Sequence, residues 1–410
     1  MLINQKPFIV PFTFIYFFSL FGGVASLVGG EGNSSVYAVF WVVLYLFTIA
    51  FMMCSSIGFR IYKYELPVLL FCIYVSISFL WSEIPASSVK YSLSVVFNIL
   101  FALLCSRWFS VNEFFILLLK YLNVFILLGL SLAAVGVDSA FYVDPLNRPN
   151  LLGTPLIQGL FSHKIYAGVY SAIALFWNLY YQKGYLRVFF VGSSLLLVLL
   201  SGSSLGLLVL FVGMLIKTML YIFKKKEVRT LYLAPSLILF IFLLVIAFVG
   251  LPIVMGLLGR DLTFTGRSGL WEWGIHFFNE KPWLGWGYAG IFSDAVNAPE
   301  NMINDSEYYK APHFHNAYLQ VLAELGIVGF IFIYFNLLIS LKVTWSNYWS
   351  GKEDYFAPLI FLLVILLVGF GMNIMFRYNE LTTVVVFFVF LQINKTLINR
   401  DATYKSKSLC

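Results

Sequence analysis

The chain has 410 residues; 61% are hydrophobic and only 11% are charged. Soluble domains carry about a quarter charged residues, so this chain has too few polar side chains to cover a water-facing surface. The same apolar content excludes disordered, coiled-coil and collagen-like classes. The net charge of +7 comes from bases placed between apolar runs. That pattern is a membrane-topology signal rather than a nucleic-acid footprint.

A helix needs about 20 mostly apolar residues to cross a membrane. In chain order such runs fall at 8–28, 36–57, 66–81, 91–108, 113–135, 164–181, 186–200, 204–222, 231–250, 316–341, 356–375 and 380–397. The expectation is an all-α integral membrane protein with about twelve transmembrane helices. The runs are continuous rather than alternating, which excludes a β-barrel. The tight turns near 201–204 and 377–380 leave the helix count open by one or two. The first run ends in Gly22, Gly23 and Ala25 like a signal peptide, but Lys6 is its only preceding base. An uncleaved first helix is therefore expected. With the N-terminus inside, seventeen Lys and Arg fall on the inner side and eight on the outer, and Lys120 lies within a span. This excess places both termini in the cytoplasm.

The domain plan has three parts: helices one to nine over 1–250, with an outer loop near 136–163; a large outer loop over 251–315; and three last helices with a tail over 316–410. Cys54, Cys72, Cys105 and Cys410 form no CxxC pair, so neither a disulfide framework nor a cysteine metal site is expected. No cofactor is expected. His276, His313 and His315 are the one weak histidine set for zinc, and their spacing is not that of a zinc site.

Polar chemistry gathers in the outer loops. The earlier one holds Arg148, then His163 and Lys164 at the mouth of a span. These residues fit ligands for an anion at headgroup depth and equally fit interfacial anchors. The later loop holds Arg260 and Arg267, then an amphipathic helix from Gly269 to Glu280 with Leu270, Trp271, Gly274, Ile275 and Phe278 on one face. Its two tryptophans suit the outer bilayer interface. His315 stands at the first turn of the next helix, where the helix dipole disfavours its protonated form. A neutral imidazole there suits a general base, and suits a helix-capping histidine as well. Arginines on two outer loops beside one histidine point to an anionic, partly lipidic substrate. Guanidinium binds phosphate oxygens bidentately and keeps its charge when desolvated.

These residues resemble the O-antigen ligase and exopolysaccharide polymerase superfamily of bacterial inner-membrane glycosyltransferases. His315, Asn316, Gly326 and Gly329 meet the pattern HN-x9-G-x-x-G in full. Thr265-Gly-Arg-Ser-Gly-Leu-Trp271, Lys281-Pro-Trp-Leu-Gly-Trp-Gly287 and Gly159-Leu-Phe-Ser-His-Lys164 also look like the family, with Ile165 and Leu205 departing from it. The resemblance implies a GT-C-like fold whose large loop is periplasmic. It implies metal-independent, inverting transfer of a glycan from undecaprenyl diphosphate to another lipid-linked repeat unit, or to lipid A–core in a ligase. By the same resemblance His315 deprotonates the acceptor, Arg267 and Arg148 hold the diphosphate, and Arg260, His163, Lys164, Asn316 and Arg377 assist in binding. Membrane lipids and a chain-length regulator are the further partners implied, and nucleic acid is not. A transporter for the same lipid-linked glycan is the alternative of another class. It calls for charged or broken helices in mid-membrane, of which Lys120 is the single sign read here.

Overall fold

A computed structural model describes residues 6–28, 35–54, 61–144, 149–150, 152–223, 267–292 and 313–407. The expected span at 231–250, Arg148 and Arg260 lie outside the described residues. The described chain is helical throughout, apart from loops and one two-stranded antiparallel pair, β1 (Phe141–Tyr142) and β2 (Leu156–Ile157).

The helices are α1 (Lys6–Leu20), α2 (Gly23–Val28), α3 (Ser35–Cys54), α4 (Leu66–Ile77), α5 (Pro85–Trp108), α6 (Val111–Ala134) and α7 (Lys164–Tyr181). They continue with α8 (Gly184–Leu200), α9 (Ser204–Phe223), α10 (Arg267–Glu280), α11 (Ala317–Trp349), α12 (Phe356–Val368) and α13 (Leu381–Lys407). Five segments are long and apolar enough to cross a membrane: Ser35–Met53, Pro85–Trp108, Val111–Ala134, Ala317–Trp349 and Leu381–Asn399. Phe8–Leu20, Leu66–Trp81, Gly184–Leu200 and Ser204–Leu220 form shorter apolar helices. The molecule is an all-α, multi-pass membrane protein.

Two faces of the sequence pattern are visible in α3. Val36, Val39, Leu46 and Phe47 are exposed, as lipid-facing side chains are, while Trp41, Leu44 and Tyr45 are buried. The core is dominated by aromatics. Tyr16 stacks on Phe101 with centroids 3.6 Å apart, and Phe114 stacks on Phe388 at 3.7 Å. One polar pair crosses it: Asn123 and Asn178 exchange amide hydrogen bonds of 2.9 and 2.8 Å between α6 and α7. Such pairing is what an interior without water demands.

Two expected spans are interrupted, and both breaks seat a polar loop. The run at 8–28 splits into α1 and α2 at Gly22, whose φ is +102°. A Cβ there would lie 2.4 Å from the Ser162 nitrogen. The Ser162 N–H bonds the freed Phe21 carbonyl at 3.3 Å, and the Ser26 hydroxyl bonds the Leu160 carbonyl at 3.1 Å. The second break lies in α11 at Gly326, with φ +61°. The turn at 282–286 fills it. Trp286 N–H donates to the Ala323 carbonyl at 3.0 Å, and Ile327 N–H donates to the Pro282 carbonyl at 2.8 Å. The Tyr74 hydroxyl closes on the Leu325 carbonyl at 2.7 Å. The backbone groups released by each break are thus satisfied by protein, the condition for irregular backbone at membrane depth.

The expected run at 356–375 stays helical only to Val368. Gly369 then gives its carbonyl to the Ala317 N–H at 2.8 Å, which ties the following loop to the start of α11. The loop helix is α10, one turn-fraction longer at its start than expected. It packs on α11. Its buried side is Leu270, Gly274 and Phe277, together with Phe314 and Ala323, while Ile275 is 49% exposed. The predicted apolar face is therefore rotated: α10 buries the stripe that meets α11 and leaves Ile275 outside.

Gly326→Ala is expected to destabilise the protein by about 2 kcal/mol or more, because the new Cβ would sit in a left-handed backbone and 2.2 Å from the Trp283 carbonyl. Gly192→Ala in α8, where the methyl meets nothing within 4 Å, should be neutral or slightly stabilising. Thermal midpoints in detergent check the pair. Equal midpoints would mean that the 282–286 turn does not occupy the break.

Candidate active site

Four segments converge at one end of the bundle: the loop before α7, the start of α10, the loop before α11 and the 369–380 loop between α12 and α13. Each brings a charged or titratable side chain, and each is held by local bonding that explains its position.

His163 is the N-cap of α7. Its Nδ1 accepts the Ile165 N–H at 3.1 Å, and its Nε2 lies 3.0 Å from the Tyr142 hydroxyl on β1. With Nδ1 accepting, the neutral ring carries its proton on Nε2 and donates to Tyr142. Lys164 is buried and paired with Asp144 at 2.5 Å. The Tyr142 ring lies 4.9 Å from its ammonium. The Lys164 charge is therefore already matched within the protein.

Arg267 opens α10 and donates Nη1 to the Gly371 carbonyl at 2.6 Å, bridging the large loop to the 369–380 loop. Arg377 donates Nη1 to the Tyr166 hydroxyl at 3.3 Å and lies 3.9 Å from Glu380 Oε1. Tyr166 in turn donates to Glu380 Oε1, and Tyr170 reaches Glu380 Oε2 at 3.4 Å. A buried carboxylate thus anchors Arg377 directly and through a tyrosine.

His315 has a left-handed backbone, φ +50°. Its N–H donates to His313 Nδ1 at 3.1 Å, and the two rings lie edge to face with centroids 4.2 Å apart. His315 Nδ1 is buried with no hydrogen-bond partner. Asn316 caps α11: its Oδ1 accepts the Tyr318 and Leu319 N–H groups at 3.0 and 3.1 Å. That carboxamide oxygen is committed to the helix rather than to the neighbouring histidine.

The electrostatics make every imidazole in the cluster neutral at pH 7. Burial, then the Arg267 guanidinium, then His163 and Arg377, push His315 down to about 3. Burial and the adjacent Lys164 push His163 down to about 4, with Asp144 opposing. Burial and His315 hold His313 well below the ordinary histidine value. A neutral His315 was expected from the helix N-terminus; burial and guanidinium charge are the causes the structure supplies. Arg267, His163 and Arg377 all lie near enough to His315 to oppose its protonation.

Of the residues singled out in the sequence, Arg267, Arg377, His163, Lys164, His315 and Asn316 meet at this end of the bundle. His276 is exposed and pairs with Glu280 at 3.2 Å. Among the described residues no three His, Cys, Asp or Glu side chains gather to hold a metal ion. Asp144, Tyr142, Tyr166 and Glu380 were missed. A signal existed for one of them: Glu380 lies three residues after Arg377 in a short turn between two apolar runs.

A family model described as "O-Antigen ligase" matches residues 188–334, a stretch that contains both Arg267 and the His315–Gly329 motif. The chain is also 24% identical over 350 residues to a protein of Rhizobium meliloti (strain 1021) named "Exopolysaccharide production protein ExoQ", covering 75% of this chain and 76% of that one. Over these stretches the chain is similar to the O-antigen ligase family and to an exopolysaccharide production protein.

Proposed function

We propose that the protein is a bacterial polysaccharide polymerase. It transfers a glycan from undecaprenyl diphosphate to a sugar hydroxyl of another lipid-linked repeat unit, with inversion and without a metal. The observation that carries this reading is a neutral His315 held beside two anchored guanidiniums, Arg267 and Arg377. An acceptor hydroxyl must lose a proton and a diphosphate must gain charge in the same step. His315 takes the proton as the acceptor oxygen bonds to the anomeric carbon. The carbon–oxygen bond to the diphosphate breaks, and the leaving group departs as undecaprenyl diphosphate. Its growing charge is stabilised by guanidiniums that need no reorganisation, being fixed beforehand by Gly371 and by Tyr166 with Glu380.

The site faces the periplasm in this proposal, with both termini cytoplasmic and about twelve spans in the inner membrane. The basis is the excess of Lys and Arg in the opposite loops. Membrane lipids surround it, and a chain-length regulator is the expected partner. Arg148 and Arg260, from the same outer loops, remain assigned to the diphosphate by family resemblance. Lys164, paired with Asp144, supports the mouth of α7 more than it meets the substrate. The polymerase choice draws on the exopolysaccharide relative. The description of the family model supports a second reading, an O-antigen ligase that transfers the glycan to lipid A–core.

Purified protein reconstituted with undecaprenyl-diphosphate repeat units is expected to form polymer in the presence of EDTA. A requirement for a divalent ion would contradict the guanidinium account. His315→Ala should lower transfer by about 10²–10⁴-fold while the variant still inserts and elutes as wild type; undiminished transfer would remove the general-base role. In cells, loss of long chains with single repeats still attached to core indicates a polymerase, and loss of all attachment a ligase.

The pH dependence has a definite sign. A base must be neutral to act, and His315 of the free enzyme is neutral down to about pH 3. Hence kcat/KM should show no falling limb centred on the ordinary histidine value of about 6.5. A limb at that value would mean that His315 is neither buried nor beside Arg267.

A further inference from the structure

One buried carboxyl has no part in the reaction just described. Glu324 lies inside α11, two residues before the Gly326 break, and is buried. An ionisable group within a membrane helix is costly and marks a place where something is held.

Its bonding runs in two directions. Gln320, one turn earlier, donates Nε2 to Glu324 Oε1 at 2.7 Å. The Gln320 Oε1 accepts the Phe314 backbone N–H at 3.0 Å. On the other side the Ala289 backbone amide faces the same carboxyl, close to where Trp286 N–H meets the Ala323 carbonyl. Glu324 is therefore joined both to the segment that follows α10 and to the loop that carries His315.

The orientation of the Gln320 amide is forced. A carboxylate only accepts, so it selects the NH₂ end; a backbone N–H selects the oxygen end. Phe314 immediately precedes His315, whose left-handed backbone is one that non-glycine residues adopt at a cost. Such a conformation persists only when its surroundings over-determine it. Two successive amides, of Phe314 and His315, are fixed by the side chains of Gln320 and His313.

We propose that Gln320 and Glu324 are positioning residues for His315. Glu324 orients the Gln320 amide, and that amide holds the Phe314–His315 backbone so that the imidazole meets the guanidinium cluster. The proposal rests on the transfer reaction above, but it is also readable without it.

The test is an exchange of the two side chains, scored by turnover and by amide hydrogen exchange over residues 313–316 in reconstituted protein. Gln320→Glu places two carboxyls together and loses the donor. It should lower kcat by about tenfold or more, leave the donor KM within about twofold, and speed exchange at Phe314 and His315. Gln320→Met, which removes both bonds without repulsion, should do the same and guards against a folding defect. The double variant Q320E/E324Q keeps a carboxylate acceptor for the Phe314 N–H and restores, from position 324, an amide donor towards that carboxylate. It should recover both amide protection and most of the turnover. A residue of merely structural importance would lower the thermal midpoint without this exchange pattern or the split between kcat and KM. The proposal is overturned if Q320E keeps wild-type protection and turnover, or if the double variant is no better than Q320E at an equal thermal midpoint. If the protection pattern holds but wild-type protein joins no sugars, the positioning role stands and the assigned reaction falls.

Discussion

The site depends on one mechanical constraint: polar loops can be held at the end of an apolar bundle only if backbone groups leave the helices to receive them. Gly326 breaks α11, and the freed groups at Ala323, Ile327 and Leu325 are taken up by the 282–286 turn and by Tyr74. The same turn follows α10, so the break fixes the helix that begins with Arg267. Nine residues before the break, α11 begins, with only its cap Asn316 between it and His315. The first glycine of the HN-x9-G-x-x-G pattern is thus the joint between the two segments whose side chains meet. At Gly22 the arrangement recurs, and the loop leading to His163 is seated in the gap between α1 and α2.

Charge inside this scaffold is balanced unevenly, and the imbalance gives the site its character. Lys164 is matched by Asp144, and Arg377 is anchored through Tyr166 and Glu380. Arg267 is held by a neutral carbonyl, that of Gly371. Burial first, and the positive field after it, keeps the neighbouring imidazoles neutral. A diphosphate arriving there would offset the field that depresses His315, raising the basicity of the imidazole when the donor is present. In the proposed reaction the charges assigned to the leaving group would then tune the base.

How much of this was legible in the sequence varied with the kind of signal. Apolar run length located helices, but among the described residues only five of them are long and apolar enough to cross a membrane. Interruptions were not legible: Gly22 and Gly326 lie in runs as apolar as their neighbours, and what breaks the helix is a loop distant in sequence. For the same reason Glu324 did not stand out; its partners Gln320 and Ala289 become meaningful only once α11 has packed. The rotation of α10 that exposes Ile275 was hidden because its buried stripe is set by Phe314 and Ala323 of another segment. At the site, His315, Arg267 and Arg377 were legible as isolated polar residues at span mouths. Lys164 and Asn316 were legible as candidates, but their commitment to Asp144 and to the α11 cap is a tertiary matter.

The central claim is that guanidiniums from separate segments and one imidazole share a single lipid-phosphate site. An electron cryo-microscopy map of the protein in nanodiscs with bound undecaprenyl diphosphate tests it most directly. The account predicts the diphosphate between Arg267 and Arg377, with the ring of His315 facing the position of the anomeric carbon. Density for the diphosphate at the other end of the bundle, or in a cavity separate from His315, would contradict it.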